Sequence, residues 1–185
     1  MIPRPHLTAW APNAPWPNPD QVEQDLLLSR LIIEIASDEY LGQELVFRGG
    51  TCLHKLRLSH PMRYSEDLDY VRRSEGGIGD LIGALRTIGE RLGMKVSYQI
   101  TRHPKVRFIA PFESGRGDMR IKIEMNTFER SPARPPEMVD TPSTRPGSLG
   151  TPPFRRSRQP SSSPPKSARC SNDRRAGISS TYGSG

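Results

Sequence analysis

Residues 45–58 read LVFRGGTCLHKLRL. The apolar triplet Leu45-Val46-Phe47 stops at Gly49-Gly50, and Thr51 opens a stretch with leucines at 53, 56 and 58, which predicts strand, tight turn and helix. Upstream, Pro19-Asp20 followed by Glu23 marks a capped helix start, and Val22, Leu26, Leu27, Arg30, Leu31, Ile33, Ile35 and Tyr40 recur with helical period over about five turns. Downstream, Leu68 to Val71 reads as a strand. Ile78, Leu81, Ile82, Leu85, Ile88 and Leu92 mark an amphipathic helix that ends at Gly93. Met94 to Ile100, Val106 to Ala110 and Met119 to Met125 alternate like strands. The outline α-β-α-β-α-β-β-β describes a mixed α+β layer structure rather than a bundle.

The 185 residues carry a formal net charge of +7, and that charge is unevenly spread. Residues 1–140 hold 19 Lys and Arg against 19 Asp and Glu, whereas residues 141–185 hold 8 against 1. The foldable part is neutral, so basicity gives no reason to call it a nucleic-acid-binding domain. Residues 141–185 also contain 7 Pro, 5 Gly and 11 Ser. So little apolar surface cannot offset roughly 1 to 2 kcal/mol of backbone entropy per ordered residue. Three segments are expected: an extended Pro-rich leader over 1–19, a folded core over 20–130, and a disordered tail rich in Pro, Ser and Arg over 131–185. No stretch approaches the roughly 18 consecutive apolar residues of a membrane span, and the leader lacks the apolar segment of a secretory signal. Cys52 and Cys170 lie in segments of unlike character and make no disulfide framework, which suits a reducing cytoplasm. On its helix, Cys52 is expected to be packed.

Three features bear on chemistry. In Arg48-Gly49-Gly50-Thr51, glycines at a strand-helix turn permit close backbone approach, and helix N-terminal amides with the Thr51 hydroxyl can hold phosphate oxygens. The same glycines also suit a plain turn. In Arg63-Tyr64-Ser65-Glu66-Asp67-Leu68-Asp69-Tyr70, an extended chain sends Asp67 and Asp69 to one face. Two neighbouring carboxylates repel unless a cation lies between them, which invites Mg²⁺ or Mn²⁺, while an exposed strand end with a solvated acidic face is the plain alternative. In Arg120-Ile121-Lys122-Ile123-Glu124-Met125-Asn126, alternation separates an apolar side from Lys122, Glu124 and Asn126. If that polar side faces the Asp pair, Glu124 completes a three-carboxylate site for two divalent ions; if it faces water, it is the wet side of an edge strand.

The runs FRGGTCLHKL, RYSEDLDYV and RIKIEMN resemble the N-terminal part of the AbiEii/AbiGii abortive-infection toxins, which belong to the polymerase-beta-like nucleotidyltransferases. The resemblance covers about residues 20–130, and G-G-T-x-L followed by R-x-S-x-D-L-D is far more specific than a lone D-x-D. It implies a polymerase-beta-like core built as a small mixed sheet with packed helices. It implies further that Gly49, Gly50 and Thr51 border the triphosphate of an NTP, with Lys122 adding charge there. Asp67 and Asp69 would bind catalytic metal, with Glu124 as third carboxylate, and Arg63 and Ser65 would brace the strand that carries the pair. The implied reaction transfers a nucleoside monophosphate to RNA, for some relatives tRNA. Family members are toxins of two-component toxin-antitoxin systems in phage defence, so a cognate antitoxin is implied by the family alone.

The departure lies after Glu129, where the family continues into a helical domain and this sequence turns to Ser, Pro, Gly and Arg without helical periodicity. A truncated or frameshifted member is therefore expected. An inactive remnant of such a toxin remains an alternative, as does a basic RNA-binding module in which Arg155, Arg156, Arg158, Lys166, Arg169, Arg174 and Arg175 do the work. Cys52, His54 and His60 lack the spacing of a zinc site, and no serine carries a nucleophile-elbow pattern. Reading the other frames of the coding DNA beyond the codon for Glu129 is expected to recover an apolar-periodic helical sequence.

Overall fold

The computed structural model describes residues 2–58, 63–129, 136–139 and 168–170. The expectations placed on His60 and on most of the basic tail lie outside the described residues. The first departure from expectation is at the start of the chain. The leader is not extended: it forms α1 (Arg4–Trp10) and a 3₁₀ turn over Ala11–Asn13. Pro5 falls in the first turn, where the missing N–H costs nothing because helix-initial amides have no intrahelical partner. Both indoles of this segment are tethered. Trp10 Nε1 donates to Asp25 Oδ1 at 2.9 Å and Trp16 Nε1 to Oδ2 at 3.3 Å, while Trp10 and Ala14 pack on Val22.

Asp25 sits on α2 (Pro19–Ser37), which starts as the sequence predicts, with the Asn18 side chain accepting from the Asp20 amide. The helix ends at Ser37 rather than near Tyr40, because the Asp38 carboxylate accepts from the Tyr40 and Leu41 amides and starts the short helix α3 (Leu41–Glu44). Then follow β1 (Leu45–Arg48), α4 (Gly49–Arg57), β2 (Asp67–Arg72), α5 (Gly79–Arg91), β3 (Lys95–Gln99), β4 (Lys105–Pro111) and β5 (Asp118–Asn126). These match the predicted elements in type and order.

Within the sheet the five strands run β3-β4-β5-β2-β1. The β1/β2, β3/β4 and β4/β5 pairs are antiparallel, and β2/β5 is parallel. A parallel pair needs a crossover, which α5 and the β3–β4 hairpin supply. Two three-residue strands, β6 (Glu137–Val139) and β7 (Ala168–Cys170), extend the sheet beyond β1, with β7 parallel to β1 at Phe47. They come from the segment expected to be disordered. The outer edge of β1 offers unpaired amides and carbonyls that a short strand satisfies without needing a core of its own.

One side of the sheet is dry. Leu68, Val106, Phe108, Ile121 and Ile123 are fully buried and form one cluster with Leu31 of α2 and Leu81 and Leu85 of α5. Burying each such side chain contributes about 1.5 to 3 kcal/mol, so this layer outweighs any surface ion pair. A glycine sets the helix-to-sheet distance: a Cβ on Gly89 of α5 would collide with Val96 Cγ2. Cys52 is fully buried, as expected of a packed residue, but it is not a free thiol, contrary to the expectation that the cysteines make no disulfide framework. Among the described residues no helix is long and apolar enough to cross a membrane.

Lys55 of α4 closes the Asp25 site, its Nζ lying 2.8 and 2.7 Å from the two carboxylate oxygens. One buried carboxylate thus ties the leader, α2 and α4 together. Asp25→Ala would leave the half-buried Lys55 ammonium and two indole N–H groups unanswered, and is expected to lower unfolding free energy by about 3 kcal/mol in urea titrations.

Candidate active site

The parallel pairing of β2 with β5 sets Asp67 beside Lys122 and Asp69 beside Glu124, while β1 sets Arg48 beside Asp69. Alternation along β2 buries Leu68, Tyr70 and Arg72 and leaves Asp67, Asp69 and Val71 on the other side. β5 likewise buries Met119, Ile121, Ile123 and Met125. The polar side of β5 therefore faces the Asp pair's side of the sheet, and β5 is an interior strand rather than an edge.

The three carboxylates crowd one another. Asp69 is held above the usual carboxylate range by burial first, then by the negative charges of Asp67 and Glu124, with Arg48 and Lys122 pulling the other way. Lys122 Nζ donates to Asp67 Oδ2 at 2.9 Å and lies 3.8 Å from Glu124 Oε2. That hydrogen bond is the main reason its ammonium is held above the usual lysine range. Lys105 reaches Glu124 from β4 at 3.5 Å.

Gly49 has φ +81, a conformation L side chains rarely adopt, and a Cβ there would fall 2.5 Å from Asp69 Oδ2. The glycine is required on both counts. It lets the first turn of α4 lie directly against the acidic strand. The Thr51 hydroxyl does not face outward for a phosphate. Thr51 is buried, its Oγ1 donates to the Asp67 carbonyl at 2.8 Å, and that uses its single proton, so the 2.6 Å contact with Ser65 has Ser65 donating. Thr51 therefore joins Ser65 in bracing the start of β2. Arg63, expected to do the bracing, is exposed and puts its guanidinium over Gly50, where a Cβ would lie 3.6 Å from Nη2.

Sequence reasoning passed over Arg48, Lys105 and Glu129. Arg48 Nη1 lies 3.7 Å from Glu129 Oε2, and its place just before the glycines was a readable signal. Lys105 gave none, because only the strand register brings it to Glu124. His54 is buried, held below the usual histidine range by burial and by Lys55, and stands edge-on to Trp16 with ring centroids 6.4 Å apart. It belongs to the leader contact.

The donor chemistry suits a hard divalent cation, which prefers carboxylate oxygens, and the crowding at Asp69 is the strain such a cation relieves. Among the described residues, however, no three potential ligands are already grouped around one position. In the structure Lys122 supplies the positive charge that Asp67 and Glu124 share.

The site is thus a small mixed sheet whose acidic strand pair lies beside a glycine-opened helix. The family described as nucleotidyl transferase AbiEii toxin, type IV TA system, matches residues 30–154, more than half of the chain, and the chain belongs to it. The match starts later than expected and runs past residue 130. No curated protein sequence matches the chain. Similar solved structures include MenT4, a nucleotidyltransferase toxin from Mycobacterium tuberculosis H37Rv, with 23% identity over 75% of this chain and 48% of that one at TM-score 0.46. JHP933 from Helicobacter pylori has 12% identity over 64% and 49% of the two chains, also at TM-score 0.46. The chain spans about half the length of these structures.

Gly49→Ala is expected to cost about 2 kcal/mol of stability from the positive φ and the displaced Asp69, measured by urea unfolding. Asp69→Asn removes a desolvated like charge, and is expected to raise the thermal midpoint at neutral pH by about 2 to 5 °C in calorimetry.

Proposed function

We propose that the protein is the toxin of a type IV toxin-antitoxin pair and transfers a nucleoside monophosphate from an NTP to a hydroxyl of RNA, with tRNA the leading acceptor. The observation that carries this reading is the register that sets Asp69 beside Glu124, with Asp67 on the same face and Gly49 pressed against Asp69. Chemistry of this kind requires positioning and charge stabilisation more than covalent participation by the protein.

Asp67, Asp69 and Glu124 would hold Mg²⁺ or Mn²⁺, with Lys122 turning from Asp67 towards the nucleotide. A divalent ion there would neutralise charge on the phosphates and lower the pKa of the attacking hydroxyl. The amides of Gly49 and Gly50 at the start of α4 would receive the phosphate oxygens, and Arg63 above Gly50 would add positive charge. Thr51 and Ser65 would act indirectly, fixing Asp67 through its carbonyl. In the transfer, the acceptor oxygen bonds to the α-phosphorus as the bond to pyrophosphate breaks, and the hydroxyl proton passes to the Glu124 carboxylate. Membership of a type IV toxin-antitoxin family supports a cognate antitoxin as partner, and the cytoplasm and phage defence are the setting this proposal adds.

Label from the four α-labelled NTPs is expected to pass to total tRNA in the presence of Mg²⁺ or Mn²⁺. Asp67→Ala/Asp69→Ala is expected to reduce transfer at least a thousandfold. Folded protein that transfers nothing to any RNA would leave the non-catalytic remnant as the correct reading.

A further inference from the structure

The side of β5 that carries Lys122 and Glu124 continues across β4 and β3 as a basic surface. One cross-strand row places Asp67, Lys122, Arg107 and Ser97 side by side, and the next places Asp69, Glu124, Lys105 and Gln99. A third sets Arg120 and Lys95 on either side of Ile109. Lys122 and Lys105 lean on the carboxylates, but among the described residues Lys95, Arg107 and Arg120 make no ion pair. Arg107 stands directly beside Lys122, and adjacent like charges weaken a sheet unless an anion lies across them. Since the opposite side of these strands supplies the core, nothing in the fold requires this side to be cationic.

The direction of attack selects the anion. An in-line displacement sets the attacking and leaving oxygens on opposite sides of the phosphorus. With the phosphates at the start of α4, on the β1 side of the Asp pair, the acceptor must arrive from the side of β5, β4 and β3. We propose that this exposed face, centred on Arg107 with Lys95 and Arg120, binds the backbone of a single-stranded RNA acceptor. The inference rests on the transferase reading. From β2 to β3 the first row is about 14 Å long, enough to span more than one phosphate. Near the β3–β4 turn, Phe128 is 57% exposed, with the Arg102 guanidinium 5.1 Å from its ring centroid and His103 edge-on at 5.9 Å. An exposed ring beside a cation is a platform on which a base stacks.

The test uses the full chain, without nucleotide, and a short fluorescently labelled single-stranded RNA followed by anisotropy across a salt series. Arg155→Gln, Arg156→Gln and Arg158→Gln form the common background, so that tail charge does not mask the sheet. Lys95→Gln/Arg107→Gln is expected to weaken RNA binding about tenfold and to lower the salt slope by about 1.4, two phosphate contacts on a single strand. Affinity for a fluorescent NTP analogue should stay unchanged. Arg107→Lys should keep the slope, and Phe128→Ala should weaken binding with the slope intact. Unchanged RNA affinity and slope in the double variant, with its circular dichroism preserved, overturns the proposal. So does a parallel loss of NTP affinity, which would mean that the face holds the triphosphate. Asp67→Ala/Asp69→Ala keeps the two readings apart: RNA binding that depends on Lys95 and Arg107 supports this proposal even where no variant or parent transfers label.

Discussion

Parallel pairing of β2 with β5 is the constraint on which the rest of the site depends. It sets Asp69 against Glu124 with Asp67 one row away, a grouping that Coulomb repulsion alone would break apart. The surrounding cations offset part of that repulsion. Lys122 answers Asp67, Lys105 answers Glu124, and Arg48 lowers the proton affinity that burial has raised at Asp69. None of these contacts contributes much to stability where water reaches it. The dry side of the same strands supplies the stability, so the wet side is free to carry charge in a pattern no folding requirement would choose.

Much of this was legible along the chain. The glycine pair after Leu45-Val46-Phe47 announced β1 and α4, and strict alternation in residues 119–125 announced β5. Asp67 and Asp69 were placed on one face by the two-residue period of a strand. What the sequence could not say was which strand lies beside β2. Periodicity reports which face a residue occupies and is silent on its neighbour, so Glu124 stayed conditional and Lys105 went unnoticed. Thr51 misled for a related reason: a hydroxyl near a helix start can serve a ligand or the chain itself, and here the Asp67 carbonyl claims it.

The leader misled in another way. Six prolines before Asp20 suggested an extended segment, because proline is usually scored as a helix breaker. Position decided otherwise, since Pro5 occupies a first turn and Pro19 opens α2. Asp25 gave no sign in the sequence of being anything but a polar residue on a helix. Its partners come from residues 10, 16 and 55, and no local rule connects those positions.

The crossover between β2 and β5 also dictates when the chain assembles its acidic cluster. Asp67 and Asp69 leave the ribosome early, but Glu124 is made only after α5 and the β3–β4 hairpin. Pairings of such sequence separation form late in folding because loop closure precedes the contacts that reward it. A nascent chain therefore carries only half of the acidic cluster until Asn126 has been added and β5 can take its place beside β2.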